Sequence, residues 1–275
     1  MSEGGLWNEA GRRLRTNRAA VVAGGVLVLL VLASLLAPLA SRHAIDQVDW
    51  TLSPLASPPS LANGHWFGTD SLGRDIASQL LVGAQNSIAV GVVAVGIGVL
   101  VGVSVGCVAA AQRGWVEELL MRCSDFTFAF PALLTAIMLT AIYGPGLLTS
   151  IVAIGIFNIP VFARLARAAA HSVWSRDYVL AARAAGKGAW RITTDHVLPN
   201  IANLLIVQMT IQFALAILAE AALSYLGLGT QPPQPSWGRM LNEAQTQMFA
   251  APMLAVYPGV AIMLSVLGLN LVGHG

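Results

Sequence analysis

"DYVLAARAAGKGAWRITTDHVLPN", residues 177–200, is a charged segment with two glycines in a chain that is otherwise mostly apolar. Apolar residues make up 56% of the 275 residues, and charged residues make up only 10%. A soluble domain of this size would need more charge to keep its surface hydrated. The composition therefore predicts an all-α, polytopic membrane protein in which residues 177–200 lie outside the bilayer.

Six apolar segments are long enough to cross a hydrocarbon core about 30 Å thick, which takes roughly 20 helical residues. We predict transmembrane helices at residues 19–40, 87–111, 126–143, 147–162, 201–228 and 253–272. The first is too long for the apolar part of a signal peptide, so we expect it to be retained. The predicted organisation is a cytoplasmic N-terminal segment (1–18), a first transmembrane helix (19–40), an external segment (41–86) and a core of five transmembrane helices (87–275) with a cytoplasmic loop at about 164–199.

The basic residues predict the orientation of these spans. Six spans place both termini on one side, and that side carries 12 of the 15 lysines and arginines. The other side carries Arg42, Arg74 and Arg239. Cytoplasmic loops are enriched in Lys and Arg, so both termini and residues 177–200 are predicted to be cytoplasmic.

Three glycines in the second predicted span recur every four residues, at Gly98, Gly102 and Gly106. This spacing places them on one helix face, where a second helix can approach closely. The alternative is that the glycines are merely tolerated in lipid.

Several functional classes are disfavoured by the sequence. Cys107 and Cys123 lack disulfide or metal-ligand spacing, so both are interpreted as small packing residues. The net charge is only +2, and basic residues do not alternate with aromatic ones, which argues against nucleic acid as a partner. The scattered Ser, His and acidic residues form no catalytic or metal-binding pattern. No GxxxxGK[ST] phosphate-binding loop is present, so we predict a non-enzymatic chain without its own cofactor or metal.

Residues 176–187 have the pattern of a short amphipathic helix. On a helical wheel the basic residues share a narrow arc and small or aromatic residues lie opposite. The first group is Arg176, Arg183 and Lys187, and the second is Tyr178, Ala181, Ala182 and Ala185.

Two glycines are predicted to end this helix. Gly186 and Gly188 favour a left-handed C-terminal turn, after which a second short helix starts at Ala189 and Pro199 marks the start of the fifth span. The resulting helix–turn–helix would project into the cytoplasm. The alternative is a basic loop on anionic lipid headgroups that serves only to set the topology.

Individual residues outside this segment also carry expectations. Glu220 lies within an apolar run, where an ionised side chain is costly, so it is either a contact in a solute pathway or an interfacial hydrogen-bonding group. Thr69 and Asp70 are predicted to cap a short external helix. Trp237 follows a proline-rich turn and is predicted to anchor the chain at the membrane interface or to line the outer mouth.

Residues 177–200 resemble the permease subunits of binding-protein-dependent ABC importers, in the dipeptide/oligopeptide/nickel branch. The general signature of those subunits, EAA-x3-G-x9-I-x-LP, is matched at Ala181, Ala182, Gly186, Leu198 and Pro199, with Leu180 and His196 in place of Glu and Ile. The branch itself typically reads AAR-x-x-G and HVLPN, as this chain does. "GTDSLGRD" (68–75) is also similar to the branch, and "AILAEAALSYLGLGTQPPQPSWG" (216–238) is similar to the C-type half of its permease pair.

The resemblance implies a type I ABC importer permease fold with six transmembrane helices in a bacterial plasma (inner) membrane. It also implies that the cytoplasmic segment is a coupling helix that contacts an ATPase. The coupling residues would be Asp177, Tyr178, Ala181, Ala182, Arg183, Gly186, Arg191, Leu198 and Pro199, with Glu220 as a candidate pathway residue.

The implied partners are a homologous second permease subunit, two ATP-binding subunits that hold ATP and Mg²⁺, an external substrate-binding protein and membrane lipids. The implied solutes are dipeptides, longer peptides, nickel chelates or haem. An ion-driven secondary transporter is the first alternative, but no repeat and only one buried acid are visible in the sequence. A non-transporting scaffold is the second, and it would not explain the glycine-broken helix pair.

Overall fold

The computed structural model describes residues 18–36, 44, 45, 47–49, 59 and 64–274. The described residues are helical apart from connecting loops and two isolated β-bridges. The α-helices are α1 (Arg18–Leu35), α2 (Ile76–Ile97), α3 (Ser104–Gln112), α4 (Gly114–Phe128), α5 (Ala132–Tyr143), α6 (Leu147–Trp174), α7 (Asp177–Ala184), α8 (Ala189–Ile192), α9 (Leu198–Tyr225), α10 (Trp237–Ala244) and α11 (Met253–His274). π-helical segments at Gly98–Val103 and Thr193–Val197 join α2 to α3 and α8 to α9, and a 3₁₀ turn at Gln245–Gln247 follows α10.

Four described helical segments are long and apolar enough to cross a membrane: Ile76–Gln112, Leu147–Trp174, Ala189–Tyr225 and Met253–Gly273. A fifth span is formed if α4 and α5, which are bent by 80° relative to each other, cross as one broken unit. The apolar helix at Ala20–Leu35 is shorter, and residues 37–40 of the predicted first span lie outside the described residues. The structure therefore supports four or five of the six predicted spans.

The third predicted span, 126–143, is wrong as a continuous helix. The chain leaves α4 at Phe128 and starts α5 at Ala132, after Pro131, which has no N–H group to continue the helix. The 12 residues of α5 extend about 18 Å, less than the thickness of a hydrocarbon core. The second span also begins earlier than predicted, at Ile76, and α6 extends beyond residue 162 to Trp174.

The glycine face of the second span packs against α6, as its spacing predicts. A Cβ placed at Gly98 would lie 2.5 Å from the Asn158 Cβ. A Cβ at Gly102 or Gly106 would overlap a backbone oxygen of α6. These glycines therefore permit direct contact between two helix backbones, and the lipid-tolerance alternative is not needed.

The helices α6 and α9 lie at the centre of the bundle. One apolar core joins α2, α3, α5, α6, α7 and α9, and a second joins α2, α9, α10 and α11. Trp237 belongs to the second core, where it is 1% exposed and its indole N–H donates to the Leu80 carbonyl at 3.2 Å. Its predicted role as an interfacial anchor is therefore wrong, because the proline-rich turn delivers the ring into the bundle.

Two aspartates accept hydrogen bonds that order the loop before α2, and their roles differ from those predicted from the sequence. Asp75 caps α2, accepting hydrogen bonds from the backbone N–H and the hydroxyl of Ser78, both at 2.7 Å. Asp70 instead accepts from the backbone N–H groups of Leu72 and Arg74, each at 2.9 Å. The predicted short external helix capped by Thr69 and Asp70 is therefore wrong, since the helix after Asp75 is the long α2.

The two cysteines differ in environment. Cys107 is buried, as expected of a packing residue, whereas Cys123 is exposed on α4. The packing interpretation is thus wrong for Cys123.

Candidate functional site

The predicted amphipathic helix is α7, and it ends at Gly186 as expected. Gly186 has a φ of +82°, and its N–H donates to the Arg183 carbonyl at 3.0 Å. The Lys187 N–H donates to the Ala182 carbonyl at 3.1 Å. This pair of hydrogen bonds is a Schellman motif, which satisfies carbonyls that the helix end leaves free.

The second arm of the hairpin is not a separate short helix, as predicted, but the start of the fifth span. The helix runs from Ala189 to Tyr225 without a break. Pro199 is accommodated by the π-helical segment Thr193–Val197 immediately before it. A proline lacks an N–H and its ring crowds the carbonyl four residues earlier, and a local π turn relieves both problems.

Contacts on both sides hold α7 against this continuous helix. Val179 is completely buried and anchors α7 in the main core. Lys187 Nζ lies 3.5 Å from Asp195 Oδ2 and 3.4 Å from His196 Nε2, and the Tyr178 and His196 rings are 5.9 Å apart. These contacts join α7 and the turn after it to the π-helical segment that leads into α9.

The face of the hairpin that turns away from the bundle is open. Tyr178, Leu180 and Trp190 are 47%, 51% and 75% exposed. Of the predicted coupling residues, Ala182 and Leu198 are half-buried, and the others are exposed: Asp177, Tyr178, Ala181, Arg183, Gly186, Arg191 and Pro199. The structure thus brings these residues onto one projecting hairpin, whose exposed apolar groups can pack against another protein.

Ion pairs tie the neighbouring end of α6 to α4. Glu117 Oε1 accepts from Arg167 Nε at 2.5 Å and lies 2.8 Å from His171 Nε2. Arg164 pairs with Asp125 at 2.5 Å, completing a charged surface beside the hairpin. The sequence prediction named these residues only as topology determinants or did not name them.

Glu220 is completely buried where α9 crosses α2. Its Oε2 accepts from Ser87 Oγ at 2.9 Å, and its Oε1 accepts from Ser224 Oγ at 2.6 Å and from Thr230 Oγ1 at 3.4 Å. Three hydroxyl groups therefore satisfy the carboxyl within the chain. Glu220 thus makes its hydrogen bonds inside the bundle, and its contact with a solute stays a prediction.

A second network of ion pairs lies at the end of the bundle opposite the hairpin and links the loop before α2 to α10. Arg74 bridges Asp70 and Glu243, each at 2.6 Å, and Arg239 reaches Glu243 at 2.8 Å. Burial would lower the pKa of the Arg74 guanidinium, but Asp70 and Glu243 outweigh that effect and raise the pKa above its ordinary value. The network fixes the loop before α2 to α10.

A groove of about 370 Å³ lies between α5, α6 and α9. Its lining is apolar except for the amides of Asn158 and Gln212. Asn158 is 3% exposed, and its Nδ2 donates to the Ile154 carbonyl at 2.9 Å. Its Oδ1 has no hydrogen-bond partner in the described part of the chain. The sequence analysis named neither residue. The signal that could have found them is an amide side chain inside an apolar run.

The fold is similar to that of a solved transport protein. A chain in a structure titled "Inward facing conformations of the MetNI methionine ABC transporter" superposes with a TM-score of 0.59 at 18% identity, covering 71% of this chain and 93% of that chain. The helical bundle with its projecting hairpin therefore has a type I ABC permease-like fold.

Sequence comparison identifies the family. The model of the "Binding-protein-dependent transport system inner membrane component" family matches residues 98–274, and that of the "N-terminal TM domain of oligopeptide transport permease C" matches residues 5–59. A "Glutathione transport system permease protein GsiD" from Pectobacterium atrosepticum is 41% identical, and one from Escherichia coli is 43% identical, each over 98% of this chain and 88% of the relative. The chain belongs to the family of binding-protein-dependent transport system inner membrane components.

Proposed function

We propose that this chain is one of two homologous permease subunits of an ABC importer, forming half of a pathway for small peptides or related solutes. The single observation that carries the proposal is the α7 hairpin, which is anchored inside the bundle by Val179 and carries exposed Tyr178, Leu180 and Trp190 on its outer face. A loop that only set topology would not need a buried anchor or a Schellman turn. The hairpin suits a groove in a cytoplasmic ATPase.

The proposed assembly contains a second permease subunit, two ATP-binding subunits that hold ATP and Mg²⁺, and an external substrate-binding protein. The chain itself is a non-catalytic subunit, because its sequence lacks a phosphate-binding loop. The proposed location is a bacterial inner membrane, with both termini and the hairpin in the cytoplasm. The 12 basic residues on that side support this orientation.

The relatives support a solute class of small peptides. The permeases that are 41% and 43% identical to this chain are glutathione transport system proteins, and glutathione is a tripeptide. Glutathione and short peptides are therefore the first solutes to test. Family membership gives no support to the ion-driven secondary transporter or to the non-transporting scaffold.

Reconstitution tests the function. The chain alone in liposomes should show neither ATP hydrolysis nor saturable uptake of labelled glutathione or dialanine. Uptake should appear when the second permease, the two ATP-binding subunits, the binding protein and ATP are present together. Saturable uptake by the chain alone, driven by a proton gradient without ATP, would overturn the proposal in favour of a secondary transporter.

A further inference from the structure

The groove between α5, α6 and α9 contains hydrogen-bonding capacity that the described chain leaves unused. Asn158 Nδ2 faces the Ile154 carbonyl, so the unpartnered atom of this amide is the acceptor Oδ1. The half-buried side-chain amide of Gln212 also makes no hydrogen bond within the described residues. A buried amide oxygen without a donor is unfavourable, and more so where no lipid headgroup or water is near.

The two amides lie at similar depths from one end of the bundle. The start of α6 and the end of α9 are side by side, because the Gly146 N–H donates to the Leu228 carbonyl at 3.3 Å. Asn158 is 11 residues after Leu147, and Gln212 is 13 residues before Tyr225. At 1.5 Å per helical residue these separations are about 16 and 20 Å, close to the middle of a core about 30 Å thick.

The rest of the groove suits passage of a solute more than its retention. The remaining lining residues are apolar, and none is charged. The volume of about 370 Å³ lies at the lower end of the usual range for small-molecule pockets, about 300–1,000 Å³. A neutral amide in apolar walls, such as that of Gln212, can exchange hydrogen bonds with a peptide group without holding it tightly, which conduction requires.

We infer that this groove is the solute-facing wall of the chain, and that the half-buried Gln212 contacts the amide groups of a peptide as it crosses the middle of the membrane, whereas Asn158 is a buried part of the wall. This inference rests on the proposed import function and assigns its solute contacts to a particular surface. The alternative is that a helix of the second permease fills the groove. Thiol accessibility distinguishes a hydrated groove from one that is filled by protein.

Thiol accessibility in the assembled transporter tests the groove directly. On a Cys123→Ser background, which removes the exposed native thiol, Gln212→Cys is compared with Leu264→Cys, a 38% exposed position on α11. A small charged thiol reagent should modify Gln212→Cys about tenfold faster or more, because only a hydrated thiol ionises readily. An unreactive Gln212→Cys would overturn the inference, since the groove would then be covered by protein or lipid.

Uptake supplies the second measurement. Gln212→Leu should lower ATP-dependent uptake of glutathione by about five- to tenfold, the effect expected for one lost hydrogen bond, and Gln212→Asn should restore part of it. Co-purification of the second permease and basal ATP hydrolysis should not change. Unchanged uptake, or loss of the second permease, would contradict the inference. If the wild-type assembly shows no ATP-dependent uptake, the proposed function itself fails, and the thiol result still reports on the groove.

Discussion

Gly186 is constrained by its backbone alone. Its φ is +82°, and a Cβ built at this position meets no atom within 4 Å. Any effect of a larger residue therefore arises from the left-handed conformation, which disfavours L-residues by roughly 1–2 kcal/mol. We expect Gly186→Val to redirect α7 and to abolish ATP-dependent uptake while the bundle remains folded.

Gly188 provides a matched control two residues away. It has an extended backbone, with φ of −69° and ψ of 156°, and its Cβ would also meet no atom within 4 Å. Gly188→Val should therefore preserve uptake. Equal uptake by the two variants, measured in the reconstituted transporter, would show that the turn does not direct coupling.

Substitutions of Glu220 test whether the buried hydroxyl cluster stabilises the fold. Glu220→Ala removes the common acceptor of Ser87, Ser224 and Thr230, and a buried group left without a partner costs about 1–3 kcal/mol. Glu220→Gln keeps one acceptor oxygen, so its effect should be smaller. Thermal unfolding in detergent should rank wild type above Glu220→Gln and Glu220→Ala last, with exposed Glu118→Gln near wild type. A Glu220→Ala variant as stable as wild type would contradict the structural role of the cluster.

Residue-level expectations succeeded where a local rule decides the outcome. The turn at Gly186 depends on the chain a few residues either side, so it was predictable from sequence. The role of Asp70 depends on Gln79, at 2.8 Å, and on Arg74, which also reaches Glu243 across the fold. The burial of Trp237 likewise depends on α2. The contact of Trp237 with Leu80 spans 157 positions and is not encoded in a local pattern. The prediction for Asp70 was wrong because Asp75, which is also acidic and nearby, is the residue that caps α2.

The π-helical segment Gly98–Val103 packs so closely against α6 that a side chain at Gly102 should destabilise the bundle. Gly102→Val would place a branched side chain against the Ile159 carbonyl, and overpacking of this kind costs about 1–3 kcal/mol or more. The control is Gly96→Val, because a Cβ at Gly96 meets no atom within 4 Å. We expect a lower yield and lower melting temperature for Gly102→Val only. Similar melting of both variants would indicate that the two helices can separate at little cost.

Helix boundaries differ from the apolar segments for a physical reason. Hydropathy reports which residues can lie in lipid, whereas a helix continues as long as its backbone hydrogen bonds can form. α6 therefore continues through Arg164, Arg167 and His171, whose side chains contact carboxylates of α4. The break before α5 has the opposite cause, because the residues around Pro131 are apolar but cannot extend α4.

At the scale of the whole molecule, the sequence predicted the helical class and the position of the hairpin but not the groove. The spacing in residues 177–200 carries the hairpin, since α7 and its turn are contiguous in the chain. The groove joins Ala132, Asn158 and Gln212 from three helices, and only their packing brings them together. Which exposed apolar surfaces meet lipid and which meet a partner subunit depends on chains that the sequence does not contain.

The orientation of the protein in the membrane is predicted from the uneven distribution of lysine and arginine. In intact cells carrying Cys123→Ser, Gln234→Cys should react with a membrane-impermeant thiol reagent, and Ala189→Cys should react only after the membrane is opened. Both positions are exposed, so burial cannot account for a difference between them. Gln234 and Ala189 flank opposite ends of α9, whose 28 residues extend about 42 Å, enough to cross the bilayer. Labelling of Ala189→Cys in intact cells would place the hairpin outside, where no ATP-binding subunit could reach it, and would overturn the proposed coupling together with the orientation.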